Sequence, residues 1–158
     1  MAAGALTTVR PATLADAALL AAWHADPDVS RYWDDETFTP EQIRDRLTRD
    51  DVEAWIVEEH GEPVGYLQSW RDGETGGLDG FLVPAARGRG LMPDAARALA
   101  AELLESGRRE LTVDPYAWNA RAVRAWQKAG FVEVSRHPRD DEHTADWILM
   151  RFDATLSS

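Results

Sequence analysis

Phe81-Leu82-Val83-Pro84-Ala85-Ala86-Arg87-Gly88-Arg89-Gly90-Leu91-Met92-Pro93-Asp94 decides the architecture of this chain. An apolar run ends in a glycine-rich turn, and an amphipathic helix follows from Asp94 to Ser106. A turn of this kind between a strand and a helix start leaves backbone N–H groups open, and those groups suit an anionic phosphate. Arg87 and Arg89 add fixed positive charge there, in a chain whose formal net charge is −11. Met92 keeps its amide but adds bulk where close approach is wanted, and Pro93 suits a helix start while lacking an N–H. Farther on, Asn119-Ala120-Arg121-Ala122-Val123-Arg124-Ala125-Trp126-Gln127-Lys128-Ala129-Gly130-Phe131 reads as a helix closed by glycine and followed by a new strand. Together the two runs predict a binder of a phosphate-bearing cofactor.

The rest of the chain alternates between the two structural periods. Leu6 to Arg10 reads as a strand stopped by Pro11, and Thr13 with Asp16 caps a helix from Leu14 to Trp23. His24 to Phe38 is turn-rich. Thr39-Pro40-Glu41-Gln42 is a capping box with proline at the first helical position, and Ile43 and Leu47 form that helix's buried stripe. Val52 to Glu58 and Val64 to Trp70 read as strands joined through His60-Gly61-Glu62-Pro63. A flexible loop, Asp72 to Gly77, precedes a strand from Leu78 to Val83. Leu111 to Asp114 is a further strand, and Phe131 to Arg136 with Asp146 to Phe152 form a closing antiparallel pair. The predicted order is strand, two helices, three strands, helix, strand, helix, two strands: a single α/β domain over residues 1–158, with a mixed, mostly antiparallel sheet flanked by helices.

Composition narrows the chemistry. The 158 residues suffice for one full hydrophobic core. With no cysteine there is no disulfide, thiolate nucleophile or Cys-ligated zinc. The acidic balance argues against nucleic acid and anionic membranes and favours a small cationic partner. No signal peptide or membrane-spanning run is visible, so the expected compartment is the cytoplasm. His24, His60, His137 and His143 show no metal-ligand spacing and are expected at the surface or in loops.

In these motifs the chain resembles the GNAT superfamily of acyl-coenzyme A-dependent N-acetyltransferases. Arg87 and Gly90 match its cofactor motif, with Met92 where glycine or alanine is usual; the helix from Asn119 matches its second motif, with Trp126 in place of a tyrosine. A narrower resemblance is to the aminoglycoside 6'-N-acetyltransferases. It rests on Pro63-Val64-Gly65-Tyr66-Leu67-Gln68-Ser69-Trp70, Leu78-Asp79-Gly80-Phe81-Leu82 and Asp114-Pro115-Tyr116-Ala117-Trp118-Asn119. The loop between Trp70 and Leu78 is shorter here and lacks that family's acidic, double-tryptophan insertion.

The resemblance implies acetyl-coenzyme A as acyl donor, held by Phe81, Leu82, Val83, Arg87, Gly88, Arg89, Gly90, Leu91, Met92, Asn119 and Trp126. It implies Asp79 as the residue beside the acceptor amine, and Trp33, Gln68 and Asp114 as further substrate contacts. Asp140-Asp141-Glu142 forms an acidic turn near the presumed cleft, and Asp141 is taken as its substrate contact. An amine attacks a thioester only when neutral, and a free alkylammonium has a pKa of about 10, so a carboxylate base is needed. Asp79 is the candidate, with Glu58 and Glu59 as alternatives. Trp126 can donate a hydrogen bond but transfers no proton at neutral pH, so either solvent protonates the thiolate, or Tyr116 or another group substitutes, or turnover is slow. The expected activity is acetylation of a small cationic amine, with an aminoglycoside-type amino sugar favoured. A peptide N-terminus, another amine metabolite, or a non-catalytic acyl-coenzyme A binder are the alternatives, and both monomer and homodimer stay open.

Overall fold

The computed structural model describes residues 1–31 and 36–156. Trp33, expected as a substrate contact, lies outside the described residues. The strands are β1 (Ala2–Ala3), β2 (Thr8–Pro11), β3 (Val52–Glu59), β4 (Glu62–Asp72), β5 (Thr75–Leu82), β6 (Glu110–Val113), β7 (Phe131–His137) and β8 (Trp147–Phe152). They form one sheet in the order β1-β2-β3-β4-β5-β6-β8-β7. Every neighbouring pair is antiparallel except β5 and β6. The helices are α1 (Ala17–Ala25), α2 (Pro27–Ser30), α3 (Pro40–Leu47), α4 (Leu91–Glu105) and α5 (Ala120–Ala129).

Strand alternation sorts the side chains onto two faces. Trp55, Val57, Leu67 and Leu78 pack with Ala95, Leu99 and Leu103 of α4 and Trp126 of α5. Ile56, Tyr66 and Phe81 point the other way, onto Leu20 of α1, Val29 of α2 and Ile43 of α3. Helices thus cover both faces, and each buried layer follows the period-two and period-3.6 patterns of the sequence.

Local chemistry sets the element ends. Thr39 and Gln42 exchange side chain-to-backbone bonds of 2.9 and 3.2 Å, and Pro40 takes the first helical position. The β3–β4 hairpin turns at His60-Gly61, both at positive φ (52° and 81°), a two-residue turn that fits the strand twist. Glu62 and Pro63 therefore belong to β4 rather than to the turn. Arg10 bridges Asp16 at 2.9 Å and Glu58 at 3.2 Å, tying β2, the start of the first helical turn and β3 together.

Several expected boundaries move. The first long strand starts at Thr8 rather than Leu6, because the N–H groups of Ala5, Leu6 and Thr7 donate to the Asp94 carboxylate at 2.9–3.0 Å. The expected loop from Asp72 to Gly77 is largely strand: Gly76 and Gly77 pair with Arg71 and Trp70, leaving Gly73 and Glu74 as the tip. α4 begins at Leu91, three residues earlier than Asp94, and α2 forms inside the turn-rich stretch, where the Asp26 side chain accepts from the Asp28 N–H at 2.9 Å. His24 is not at the surface; it is 1% exposed within the core under α1. No helix among the described residues is long and apolar enough to cross a membrane.

Candidate active site

β5 and β6 run together only where Thr75–Gly77 face Glu110–Thr112. Asp114-Pro115 follows β6, and proline has no N–H to continue the ladder. β6 turns toward β8 while β5 runs on, so the sheet opens into a V. Asp79 stands two residues past the last paired residue of β5, and Asp114 two past that of β6, so the two carboxylates flank the mouth.

A chamber of about 350 Å³ occupies that mouth. Its carboxylates are Glu36, Asp79, Asp114 and Glu142, with Gln68 and Tyr116 beside them and Arg46 and His143 set into the wall. Gln68 and Asp79 are register partners on adjacent strands, which puts them on one face. The Tyr66 hydroxyl donates to Gln68 Oε1 at 3.0 Å. Burial pushes the Tyr66 phenol up to about 12 against the opposing pull of Arg46, so it remains a donor. Asp79 Oδ1 accepts the Gly80 N–H at 2.9 Å. Asp114 Oδ2 lies 2.7 Å from His143 Nε2; enclosure by the cleft pushes the Asp114 carboxyl above the usual carboxylate range, and the His143 contact only partly offsets it.

From the chamber a narrower, mostly apolar passage of about 120 Å³ runs along Gly80–Leu82, under Ala122, Ala125 and Trp126 of α5. Beyond it lies a wider stretch of about 340 Å³ between the Arg87–Pro93 turn and Arg121, Arg124 and Lys128. Trp126 and Asn119 line both the chamber and the passage, and Arg87 and Met92 line both the passage and the wider stretch, so the three form one trough. One end is acidic, the middle apolar and the other end basic.

The basic end has the features a pyrophosphate needs. Gly88 and Gly90 adopt φ of 82° and 77°, a region that favours glycine, and open space lies where a Cβ would stand. The first N–H groups of α4, those of Leu91 and Met92, have no acceptor within the helix, and the helix dipole favours an anion there. Along the passage, the Val83 N–H donates to Val64 O at 2.9 Å, so strand alternation turns the Gly80 and Leu82 N–H groups to the open edge of β5. Asp79 binds the first of these. The Leu82 N–H faces the trough, as a thioester arm laid along β5 requires. These donors and cations fit acetyl-coenzyme A.

Most of the expected site residues meet in this trough. Gln68, Asp79 and Asp114 line the chamber, Phe81, Leu82, Asn119 and Trp126 the passage, and Arg87, Gly88, Gly90, Leu91 and Met92 the donor end. Asn119 also caps α5, its Oδ1 accepting from the Ala122 N–H at 3.2 Å. Trp126 is buried edge-on against Phe131 (centroids 5.3 Å apart), so it is at once a core aromatic and a wall of the trough.

Several of the expected residues sit outside the trough walls. Arg89 is outside the trough walls, its guanidinium bonded to Glu59 at 2.7 Å, and Val83 spends its N–H on β4. Glu58 is likewise engaged, by Arg10, and neither it nor Glu59 lines the chamber. Glu142, not Asp141, reaches the wall: Asp140 folds inward to accept from the Glu142 N–H, His143 Nδ1 and Trp147 Nε1 at 2.8–3.0 Å, and this leaves Asp141 exposed outside the chamber. His143, expected at the surface or in a loop, is in the loop, with its ring buried. The Asp-x-x-His spacing from Asp140 is the available signal for it; Glu36 belongs to the acidic run Asp34-Asp35-Glu36, which reads either as a solvated turn or as part of a cation-accepting wall, and Arg46 carries no local signal, because only the tertiary fold brings α3 to the chamber.

Residues 7–132 match the acetyltransferase (GNAT) domain family. The aminoglycoside N(6')-acetyltransferase type 1 of Klebsiella pneumoniae is 30% identical over 146 residues, covering 78% of this chain and 73% of that protein. The solved aminoglycoside acetyltransferase AAC(6')-Ib in complex with coenzyme A and kanamycin superposes with a TM-score of 0.81 at 25% identity, covering 95% of this chain and 96% of the other. Its complex with ribostamycin and coenzyme A gives a TM-score of 0.83 at 25% identity, over 96% and 95% of the two chains. With the splayed strand, the glycine turn and the helix behind it all inside the matched span, the chain belongs to the GNAT acetyltransferase family and is an N-acetyltransferase that uses acetyl-coenzyme A.

Proposed function

We propose that the chain acetylates a primary amine of an aminoglycoside-type amino sugar, and so contributes to resistance against such antibiotics. The observation that carries the reading is the acidic chamber of Glu36, Asp79, Asp114 and Glu142, placed where the donor trough ends. The relatives named for aminoglycosides support it. Arg46 in the same wall favours an acceptor that brings hydroxyls beside its amine over a bare polyamine. Acetyl-coenzyme A is a cytoplasmic metabolite, and the reaction is placed there.

Each residue then has a defined task. Asp79 takes the proton of the bound ammonium, whose pKa of about 10 otherwise leaves roughly one molecule in a thousand reactive at neutral pH. The Leu82 N–H faces the thioester carbonyl and meets the charge that develops on its oxygen. Gln68, held by Tyr66, and Asp114, held by His143, orient the sugar. Trp126 packs the passage and donates a hydrogen bond at most. Tyr116 lines the chamber rather than the passage, so the thiolate, with a pKa near 8.5, takes its proton from solvent.

The test is thiol release from acetyl-coenzyme A with aminoglycosides, polyamines, free lysine and short peptides as acceptors, repeated with Asp79→Asn. Turnover confined to aminoglycosides, reduced about 10²- to 10⁴-fold in the variant with an unchanged KM for acetyl-coenzyme A, is the expected result. Turnover on peptides alone removes the amino sugar from the proposal, and an unimpaired variant removes Asp79 as the base.

A further inference from the structure

The loop that joins β7 to β8 packs one ring deep in the chamber wall. His143 is 8% exposed, stacked on Trp147 with centroids 4.2 Å apart and set edge-on to Tyr116. Its Nδ1 lies 2.8 Å from Asp140 Oδ1 and its Nε2 lies 2.7 Å from Asp114 Oδ2. A carboxylate only accepts hydrogen bonds, and a neutral imidazole has one N–H and one lone pair. Satisfying both contacts takes a proton on each ring nitrogen, so the geometry is that of an imidazolium clamped between two carboxylates. Burial opposes the charge, but the bonds to Asp114 and Asp140 outweigh it and hold His143 above its ordinary range.

We infer that His143, in its protonated form, is a positioning residue for acceptor binding: it fixes Asp114 against the β7–β8 loop and so orients that carboxylate toward the ammonium of the substrate. The inference rests on the reading of the chamber as the acceptor site. The charged and titratable groups around the ring are Asp114 from the end of β6, Asp140 and Glu142 from its own loop, and Tyr116 from the β6–α5 connection; β8 contributes the uncharged Trp147. Among the described residues no other cation touches the pair. When the ring loses its proton, one nitrogen turns a lone pair toward a carboxylate, and the link that orients Asp114 and draws in Glu142 is broken. Asp114 alone, without that link, is a mobile carboxylate at the rim.

The experiment compares wild type with His143→Gln between pH 6 and 9.5, using kanamycin as acceptor. At pH 7 the variant is expected to raise the acceptor KM about tenfold, with kcat within threefold and the KM for acetyl-coenzyme A unchanged. The ratio of wild-type to variant kcat/KM then falls toward one as pH rises through the titration of His143. Ionisation of the substrate amine is common to both proteins and cancels in that ratio. A second variant, Asp140→Asn, keeps an acceptor for the ring and for the Glu142 N–H but removes the negative charge beside the ring, and shifts the fall to lower pH. A ratio that stays constant with pH, or a loss confined to kcat, overturns the inference while leaving the acetylation of amino sugars intact. Calorimetric binding of kanamycin, without acetyl-coenzyme A, separates the remaining case: equal affinities for wild type and variant overturn the inference, and binding to neither overturns it together with the acceptor-site reading.

Discussion

His24 shows what a single buried side chain commits the protein to. Its ring meets Phe38 at 4.8 Å, Phe81 at 5.1 Å and Tyr66 at 6.3 Å, all edge-on. Burial first, and the positive charge of Arg46 second, push its pKa down to about 4. Between the ordinary value of about 6.5 and that depressed value the unfolded chain takes up a proton that the native chain refuses. The stability tied to neutral His24 is therefore complete above pH 6.5, is lost as pH falls, and is gone near pH 4. At 1.36 kcal/mol per unit the loss comes to about 3 kcal/mol. Urea midpoints at pH 7 and pH 4.5 check it: wild type should lose more between the two than His24→Leu does. Equal losses would remove His24 as the acid-sensitive group. Because Phe81 lines the donor passage and touches this ring, the same acidification reaches the acetyl-coenzyme A site.

At the scale of elements, the N-terminal strap and α4 are joined by one carboxylate. Asp94 accepts from the N–H groups of Ala5, Leu6 and Thr7 and, at 2.7 Å, from the Thr7 hydroxyl. Asp94→Ala leaves those donors to water or to nothing and should cost about 2–3 kcal/mol, with Asp94→Asn intermediate, since hydrogen bonds to a charged group contribute about 1.5–3 kcal/mol. A denaturation midpoint unmoved in Asp94→Ala would mean that the strap adds nothing to the fold. The same clamp explains which boundaries were legible in the sequence. Capping at Thr39, the turn near Gly61 and the glycine stop at Gly130 are local, and each was readable from neighbouring residues. The start of β2 was not, because the competitor for its backbone sits some ninety residues away on α4. The site divides in the same way. Asp79, Asp114 and the Arg87–Met92 turn lie within motifs and line the trough; Arg46 and Glu142 enter the chamber through tertiary packing, and Asp141 stands outside it because the inward turn of Asp140 decides which neighbour faces in.

Across the whole molecule, charge is arranged along the trough rather than spread evenly. The net charge of −11 attracts cations at long range, and the carboxylates of the chamber focus that field at the acceptor end. At the donor end Arg87, Arg121, Arg124 and Lys128 attract an anion locally while the rest of the protein repels it. Salt weakens both effects there, and they oppose each other, so the KM for acetyl-coenzyme A should change little with ionic strength. At the acceptor end the local and global terms act in the same direction. The Debye length shrinks from about 10 Å at 0.1 M to about 3 Å at 1 M salt, so added salt strips attraction in proportion to the charge of the substrate. Raising salt from 0.05 to 0.5 M should therefore increase the acceptor KM several-fold for a tetracationic aminoglycoside and much less for a monocationic amine, with kcat nearly constant. Steady-state kinetics on such a pair of acceptors decides the point. Equal salt sensitivity for the two would mean that contacts within the chamber, and not the field of the protein, draw the substrate in.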